Sequence, residues 1–265
     1  MSVEFAVRVP RRMPRSLLDP GFPLAWHPDE PPDPIPRGTW HAFLPDVSTR
    51  VTEVTRERRR VTVRVLMGAA PEDWNLALAI VGAAAGADGL VETDDGMVSR
   101  ARLDQIYDAD ARLARVEDDA ATVVRLLRED KLLGLEGPTR IVQLGPRALA
   151  ELEAGEWAGL GARFLALIRR VLWIDPRYHR AAVIEASGKG VEFTAAVLSA
   201  ESPCVLPLVD RIIVQTPEAP LLIPADALSA LPLEATWLDD GNRLVEGVPA
   251  ERWPDVCRAA EPHAL

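Results

Sequence analysis

Residues 68–89 read GAAPEDWNLALAIVGAAAGADG, and two interpretations of this stretch lead to different folds. From Leu76 onward, an apolar run leads into glycines, the pattern of a strand followed by a turn that holds nucleotide phosphates. From Pro71 onward, the same letters describe a helix with proline at its first position and a glycine at its end. The fold class therefore depends on which of the two forms.

The helical interpretation explains more of these residues. Glu72 and Asp73 complement the positive end of a helix dipole. The apolar side chains fall in two stripes: Trp74, Leu78, Val81 and Ala85, and Leu76, Ile80 and Ala83. A helix that is apolar nearly all round lies in a core. We predict a core helix that begins at Pro71, ends at Gly86 or Gly89, and buries Trp74, Leu78 and Val81.

The nucleotide interpretation matches a known pattern incompletely. The letters VGAAAGADG resemble the T-G-x-x-x-G-x-G turn of short-chain dehydrogenases, in which Gly82 and Gly86 fit but Asp88 replaces the third glycine. Such a turn opens a helix, whereas LVETDDG, which follows here, predicts a strand and a turn. Neither Tyr107 nor Tyr178 is followed four positions on by the lysine of that family. No nucleotide cofactor is predicted.

Composition limits the classes of function. The chain has 265 residues, 48% of them hydrophobic, with a net charge of −10 and a pI near 5.0. An acidic balance argues against a nucleic-acid-binding surface and favours a basic protein partner. No window of 18 apolar residues without charge predicts a membrane span, so we expect no membrane association and a cytoplasmic location. Arginine accounts for 28 of the 30 basic residues, which is typical of a GC-rich bacterial genome.

Cysteine and histidine positions predict no metal site. Cys204 and Cys257 are too few for a disulfide framework and have no metal-ligand spacing. His27, His41 and His179 are too scattered for an H-x-x-x-H pattern.

The order of predicted elements indicates an α+β fold with mainly antiparallel or mixed sheets packed against helices, because strict strand–helix alternation is missing. Hairpins are predicted over 49–67 and around Asp95-Gly96. A helix is predicted to follow the second hairpin and to end at Gly134. Three segments follow from this pattern: an N-terminal lobe (1–97, with a proline-rich segment 10–46), a helical connector (98–137) and a C-terminal lobe (138–265).

The densest proline tract, PGFPLAWHPDEPPDPIPRG at 20–38, is expected to be irregular. The interleaved Phe22, Trp26 and Ile35, with Trp40 just after the tract, predict that it packs across a surface, and a disordered linker is the competing interpretation. ASGKG at 186–190 lacks the spacing of a phosphate-binding loop, so a hairpin turn is favoured. The basic clusters RERRR and VPRRMPR are interpreted as solvated strand ends, with anion binding as the alternative.

Two short segments resemble uncharacterised bacterial proteins of the domain-of-unknown-function kind. They are PEDWNLALAIV at 71–81 and LGPRALAEL at 144–152. The resemblance points to no characterised family and implies no activity or site.

Two classes of function remain. The first is a non-enzymatic cytosolic protein-interaction module, for example an inhibitor or immunity-type protein that binds a basic bacterial partner. Its candidate binding surface is Trp26, His27, Trp40 and His41. The alternative is an enzyme, such as a hydrolase, whose site is assembled from distant carboxylates and His41 or His179, with the same four residues lining the pocket.

Overall fold

The computed structural model describes residues 2–27, 29–86, 89–188 and 191–265. The chain divides into two compact units, Met1–Trp173 (unit 1) and Ile174–Leu265 (unit 2). Each contains helices together with sheets that are antiparallel or mixed. The predicted α+β class is therefore confirmed.

Unit 1 is built on a seven-stranded sheet in which all neighbouring strands are antiparallel. In chain order its strands are β1 (Val3–Arg8), β2 (Ala25–His27), β3 (Gly38–Phe43), β4 (Thr52–Arg56), β5 (Arg60–Val65), β6 (Leu90–Thr93) and β7 (Gly96–Ser99). Their spatial order is β2-β3-β4-β5-β1-β6-β7. Phe5, Val54 and Val63 lie in register and are fully buried, which identifies the inner face of the sheet.

Helix α1 (Pro71–Ala85) packs against β1 and β5 on that inner face. It begins at the predicted proline, and Trp74, Leu78 and Val81 are buried as predicted. Gly86 follows the helix with φ +70°, a conformation that glycine adopts without strain. Because residues 76–81 are helical, the strand that a nucleotide-binding turn requires is not there.

The remaining elements of unit 1 are α2 (Arg100–Ile106), α3 (Ala109–Arg128), β8 (Leu133–Glu136), β9 (Ile141–Leu144), α4 (Pro146–Glu153) and α5 (Leu160–Leu172). Helix α3 packs against α1, α4 and α5. The segment 98–137, expected to connect two lobes, thus belongs to unit 1, and the division of the chain falls after Trp173. An amphipathic helix has an apolar face whether it connects two lobes or packs within one unit. The sequence therefore does not show which element that face packs against.

The predicted stop of α3 at Gly134 is wrong. The helix ends at Arg128, and Gly134 lies inside β8. Asp130 has φ +55°, and the amide of Lys131 donates to the carbonyl of Leu126 over 3.3 Å. This is the Schellman arrangement, with aspartate in the left-handed position that glycine usually takes.

The described part of the proline-rich segment packs on the unit 1 core. Of the residues predicted to pack, Ile35 is fully buried and Trp26 and Trp40 pack against the core, whereas Phe22 is exposed. Met13 and Leu18 are almost fully buried as well, so the packed interpretation is confirmed over the disordered linker. Arg56, the first residue of RERRR, is also buried, and its guanidinium donates to the carbonyls of Ile35 and Arg11. At least this arginine is therefore not part of a solvated strand end.

Unit 2 contains two four-stranded sheets, two 3₁₀ segments (Ala225–Ala230 and Glu261–His263) and the helix α6 (Trp253–Ala260). Its strands are β10 (His179–Arg180), β11 (Val183–Gly188), β12 (Val191–Leu198), β13 (Cys204–Pro207), β14 (Arg211–Val214), β15 (Leu221–Pro224), β16 (Ala235–Trp237) and β17 (Asn242–Val245). The sheet orders are β10-β13-β17-β16 and β11-β12-β14-β15, with parallel pairs β10/β13 and β12/β14. The turn predicted at 186–190 lies partly outside the described residues. None of the helices in the described ranges has the length and hydropathy that crossing a membrane requires.

Candidate functional site

The four residues predicted as a binding surface lie on two neighbouring strands of unit 1. His27 and His41 are directly opposite each other in the β2/β3 register, and their ring centroids are 6.3 Å apart with an interplanar angle of 9°. Trp26 and Trp40 each precede a histidine, so the strand pleat directs them to the other face. There both tryptophans pack against the unit 1 core. The pleat thus divides the predicted surface, and the histidines face outward.

The outward row continues across the sheet with charged residues. His41 pairs with Glu53 on β4, and Glu53 pairs with Arg64 on β5. The Arg64 Nη1 and Glu53 Oε2 atoms are 3.2 Å apart. The row is therefore polar and open to solvent beside the histidine pair.

A buried polar cluster, which sequence reasoning missed, surrounds the start of α1. Asp73 is only 1% exposed, and its Oδ2 accepts four hydrogen bonds. The donors are the amides of Thr49, Arg50 and Ala70 and the hydroxyl of Thr49, at 2.9–3.2 Å. The Thr49 hydroxyl oxygen also lies 2.9 Å from the Gly68 carbonyl oxygen, so its single proton is shared between these two acceptors. The cluster joins the segment before β4 to the connection between β5 and α1.

The electrostatics of this cluster fit a structural role. Burial raises the pKa of Asp73, and hydrogen bonds from Ser48, Ala70 and Thr49 oppose that rise. Burial likewise raises the pKa of Asp119, which accepts from the Gly68 amide over 2.9 Å. Perturbed carboxyls often mark catalytic sites. Here, however, one Asp73 oxygen accepts from three backbone amides and one hydroxyl. This arrangement fixes the backbone around Asp73, so we interpret Asp73 as a structural anchor.

One contact in unit 2 supports the enzyme alternative. The Ser202 hydroxyl oxygen lies 3.1 Å from Nε2 of His179, within the reach of a nucleophile and its base. Glu201, just before the serine, has the left-handed φ of +58°. Within the described ranges, no carboxylate forms an ion pair with His179, so the pair lacks the third group that orients a catalytic imidazole.

The free edge of β11 is the second feature that the sequence left unassigned. β11 is the outermost strand of its sheet. The Val197 amide donates to the Ala182 carbonyl over 3.0 Å, which fixes the hydrogen-bonding phase of the β11/β12 pair. The amides and carbonyls of Val183 and Glu185 therefore point away from β12, and they form no backbone hydrogen bond with any residue that the structure describes. Val183 and Ile184 are 40% and 43% exposed, on opposite faces of the strand.

Three exposed carboxylates lie in this part of the sheet: Glu185 on the edge strand β11, Glu192 on β12, and Asp210 just before β14, on the far side of β12 from β11. Glu185 pairs with Thr194, and Glu192 lies two residues from Thr194 on the same face. Asp210 Oδ2 accepts from the Thr194 amide over 2.7 Å and from its hydroxyl over 3.0 Å. Those hydrogen bonds hold the pKa of Asp210 below its ordinary value, so it stays ionised at neutral pH. We call Glu185, Glu192 and Asp210 the acidic edge.

The net charge is concentrated in the unit that carries the acidic edge. From Ile174 to Leu265 there are 7 basic and 14 acidic residues, a net charge of −7. Unit 1 has 23 basic and 26 acidic residues, a net charge of −3 over nearly twice the length. Unit 2 is therefore the more acidic surface per residue.

Comparison with known protein families, with curated protein sequences and with solved structures finds no match for this chain. No characterised family is thus shown, as the sequence indicated, and the geometry of the chain itself has to carry the functional argument.

Proposed function

We propose that this protein is a non-enzymatic interaction module that adds an extended, basic segment of a partner protein to the free edge of β11. The observation that carries the proposal is the unpaired backbone edge at Val183 and Glu185, with the Glu185 carboxylate on that edge and Glu192 and Asp210 behind it. Edge strands bind extended peptides through main-chain hydrogen bonds, and neighbouring side chains select the sequence.

The side chains of β11 specify the chemistry of such a segment. An added strand alternates between the two faces of the sheet. On one face it meets Ile184, which is opposite Ala195 on β12 and favours an apolar residue. On the other face it meets Glu185, which favours lysine or arginine. The expected partner segment therefore alternates basic and apolar residues.

A designed peptide tests this proposal without knowledge of the natural partner. We use a capped peptide of about eight residues that alternates lysine and valine, the length of a typical strand. Val183→Pro removes an amide that faces away from β12, so the hairpin keeps its own hydrogen bonds while the added strand loses one. We expect this variant to weaken binding at least about tenfold, measured by fluorescence anisotropy.

A pair of charge variants controls for non-specific attraction. Glu185→Lys is expected to weaken peptide binding about fivefold, whereas Glu218→Lys makes the same charge change away from β11 and should cost less than about twofold. A peptide with glutamate in place of lysine should not bind. Equal losses in both variants, or full binding by a folded Val183→Pro protein, would overturn the proposal.

The proposal also covers the class of protein and its compartment. An inhibitor or immunity-type protein that binds a basic bacterial partner is the kind of module that a net charge of −10 supports. We place it in the cytoplasm, where free thiols persist. Cys204 and Cys257 are both free, which is compatible with a reducing compartment.

A second candidate is a hydrolase that uses Ser202 as nucleophile and His179 as base, favoured by their 3.1 Å contact. His179 would take the hydroxyl proton as Ser202 attacks an ester carbonyl. If this candidate holds, a fluorophosphonate probe labels the protein, and labelling is lost in Ser202→Ala and falls sharply in His179→Gln. Absence of labelling in the unaltered protein rejects it.

A further inference from the structure

We propose that His27 and His41 form a binding site for a divalent transition-metal ion (Zn²⁺, Ni²⁺ or Cu²⁺) at the β2 edge of the unit 1 sheet. This site lies in a different unit from the edge of β11, and it does not depend on the proposed function.

The backbone register brings the two histidines side by side. His27 and His41 are directly opposed across the β2/β3 pair, a position in which Cβ atoms are about 4.5–5.5 Å apart. Their ring centroids are 6.3 Å apart. With zinc–nitrogen bonds of about 2.0–2.1 Å and tetrahedral angles, two imidazoles on one ion have centroids about 5 Å apart. The rings are now nearly parallel, at 9°, so both imidazoles must rotate about their side-chain bonds and approach by about 1 Å before their nitrogens meet at one ion. His27 is exposed and His41 half-buried, which leaves room for that rotation.

The neighbouring charges limit the site to two protein ligands. Glu53 lies across from His41, but its carboxylate pairs with Arg64 over 3.2 Å. Within the described part of the chain, no three histidine, cysteine or acidic side chains form a ready metal cluster. Water therefore fills the other coordination positions, and binding is expected to be weaker than at a closed structural zinc site.

The chemistry of the ligands selects the ion. Neutral imidazole nitrogens suit zinc, copper and nickel, whereas magnesium and calcium prefer oxygen ligands. Affinity should follow the usual order, with Cu²⁺ tighter than Ni²⁺ or Zn²⁺. Mg²⁺ and Ca²⁺ should not compete.

Titration calorimetry of the full, tag-free chain with ZnCl₂ and NiCl₂ tests the proposal. We expect one ion per chain, and His27→Gln and His41→Gln should each weaken binding at least about tenfold because each removes one of two ligands. His263→Gln is the matched control and should bind as the unaltered protein does. Pulsed electron paramagnetic resonance with Cu²⁺ should show two coordinated imidazoles in the unaltered chain and one in either variant.

Thermal unfolding without metal keeps the outcomes separable. Both variants replace solvent-accessible side chains and should unfold at the temperature of the unaltered protein, so that a loss of binding is not a loss of folding. Absence of binding in the unaltered protein overturns the proposal. So does binding that survives both substitutions, or that is lost in His263→Gln.

Discussion

Asp73→Ala is expected to lower the free energy of unfolding of unit 1 by about 3–5 kcal/mol. The substitution leaves the buried amides of Thr49 and Arg50 without an acceptor. The Thr49 hydroxyl keeps the Gly68 carbonyl, and the Ala70 amide keeps the Thr49 hydroxyl oxygen. Each of these two stranded amides, of Thr49 and Arg50, then pays a desolvation cost of about 1–3 kcal/mol that no other acceptor offsets. Chemical denaturation followed by circular dichroism measures the loss, and a loss below about 1 kcal/mol contradicts the role of Asp73 as an anchor.

Asp73→Asn is the matched control, because its carbonyl oxygen can accept the same hydrogen bonds. It should lower the free energy of unfolding by no more than about 1 kcal/mol at neutral pH.

The pH dependence of the stability that Asp73 provides has a definite sign. Because burial raises the folded-state pKa of Asp73 above its ordinary 3.8, the carboxyl favours folding at pH below 3.8. This contribution disappears as the pH rises through the folded-state pKa of Asp73. The free energy of unfolding of Asp73→Asn should therefore increase with pH relative to that of the unaltered protein. The opposite slope would show that the carboxylate is stabilised as an anion.

Trp74→Ala should destabilise unit 1 by about 3–5 kcal/mol. The indole is 3% exposed, stacks on Tyr107 with ring centroids 5.2 Å apart, and meets Phe5 edge-on at 6.4 Å. Its removal leaves a cavity between α1 and the sheet and breaks an aromatic cluster.

Trp157→Ala makes the same chemical change at a position that is 60% exposed. It should change the free energy of unfolding by less than about 0.5 kcal/mol, as surface substitutions usually do. Similar effects for the two tryptophans would contradict the placement of α1 in the core.

The local pattern of α1 was enough to predict the helix. Pro71 marked its start, Gly86 its end, and the apolar stripes predicted its buried positions. The buried role of Asp73 could not be predicted in this way. Its partner Thr49 lies 24 residues earlier in the chain, and an acid near a helix start is normally interpreted as a solvated complement to the dipole.

The candidate sites depend on strand register in the same way. His27 and His41 are fourteen positions apart and meet because β2 and β3 pair in one register, which no motif encodes. Likewise, the sequence predicted a hairpin turn at 186–190 but did not show which of the strands that it joins lies at a sheet edge. Edge position and hydrogen-bonding phase arise from the order of strands in the sheet, and that order is a long-range property.

Amide hydrogen exchange at β11 tests the proposed docking edge most directly. In the free protein, the amides of Val183 and Glu185 should exchange fast, while those of Ile184 and Ala186, which face β12, should be protected. Saturation with the lysine–valine peptide should slow exchange at Val183 and Glu185 at least about tenfold. Protection of these two amides in the free protein, or unchanged exchange in the presence of the peptide, would contradict the account.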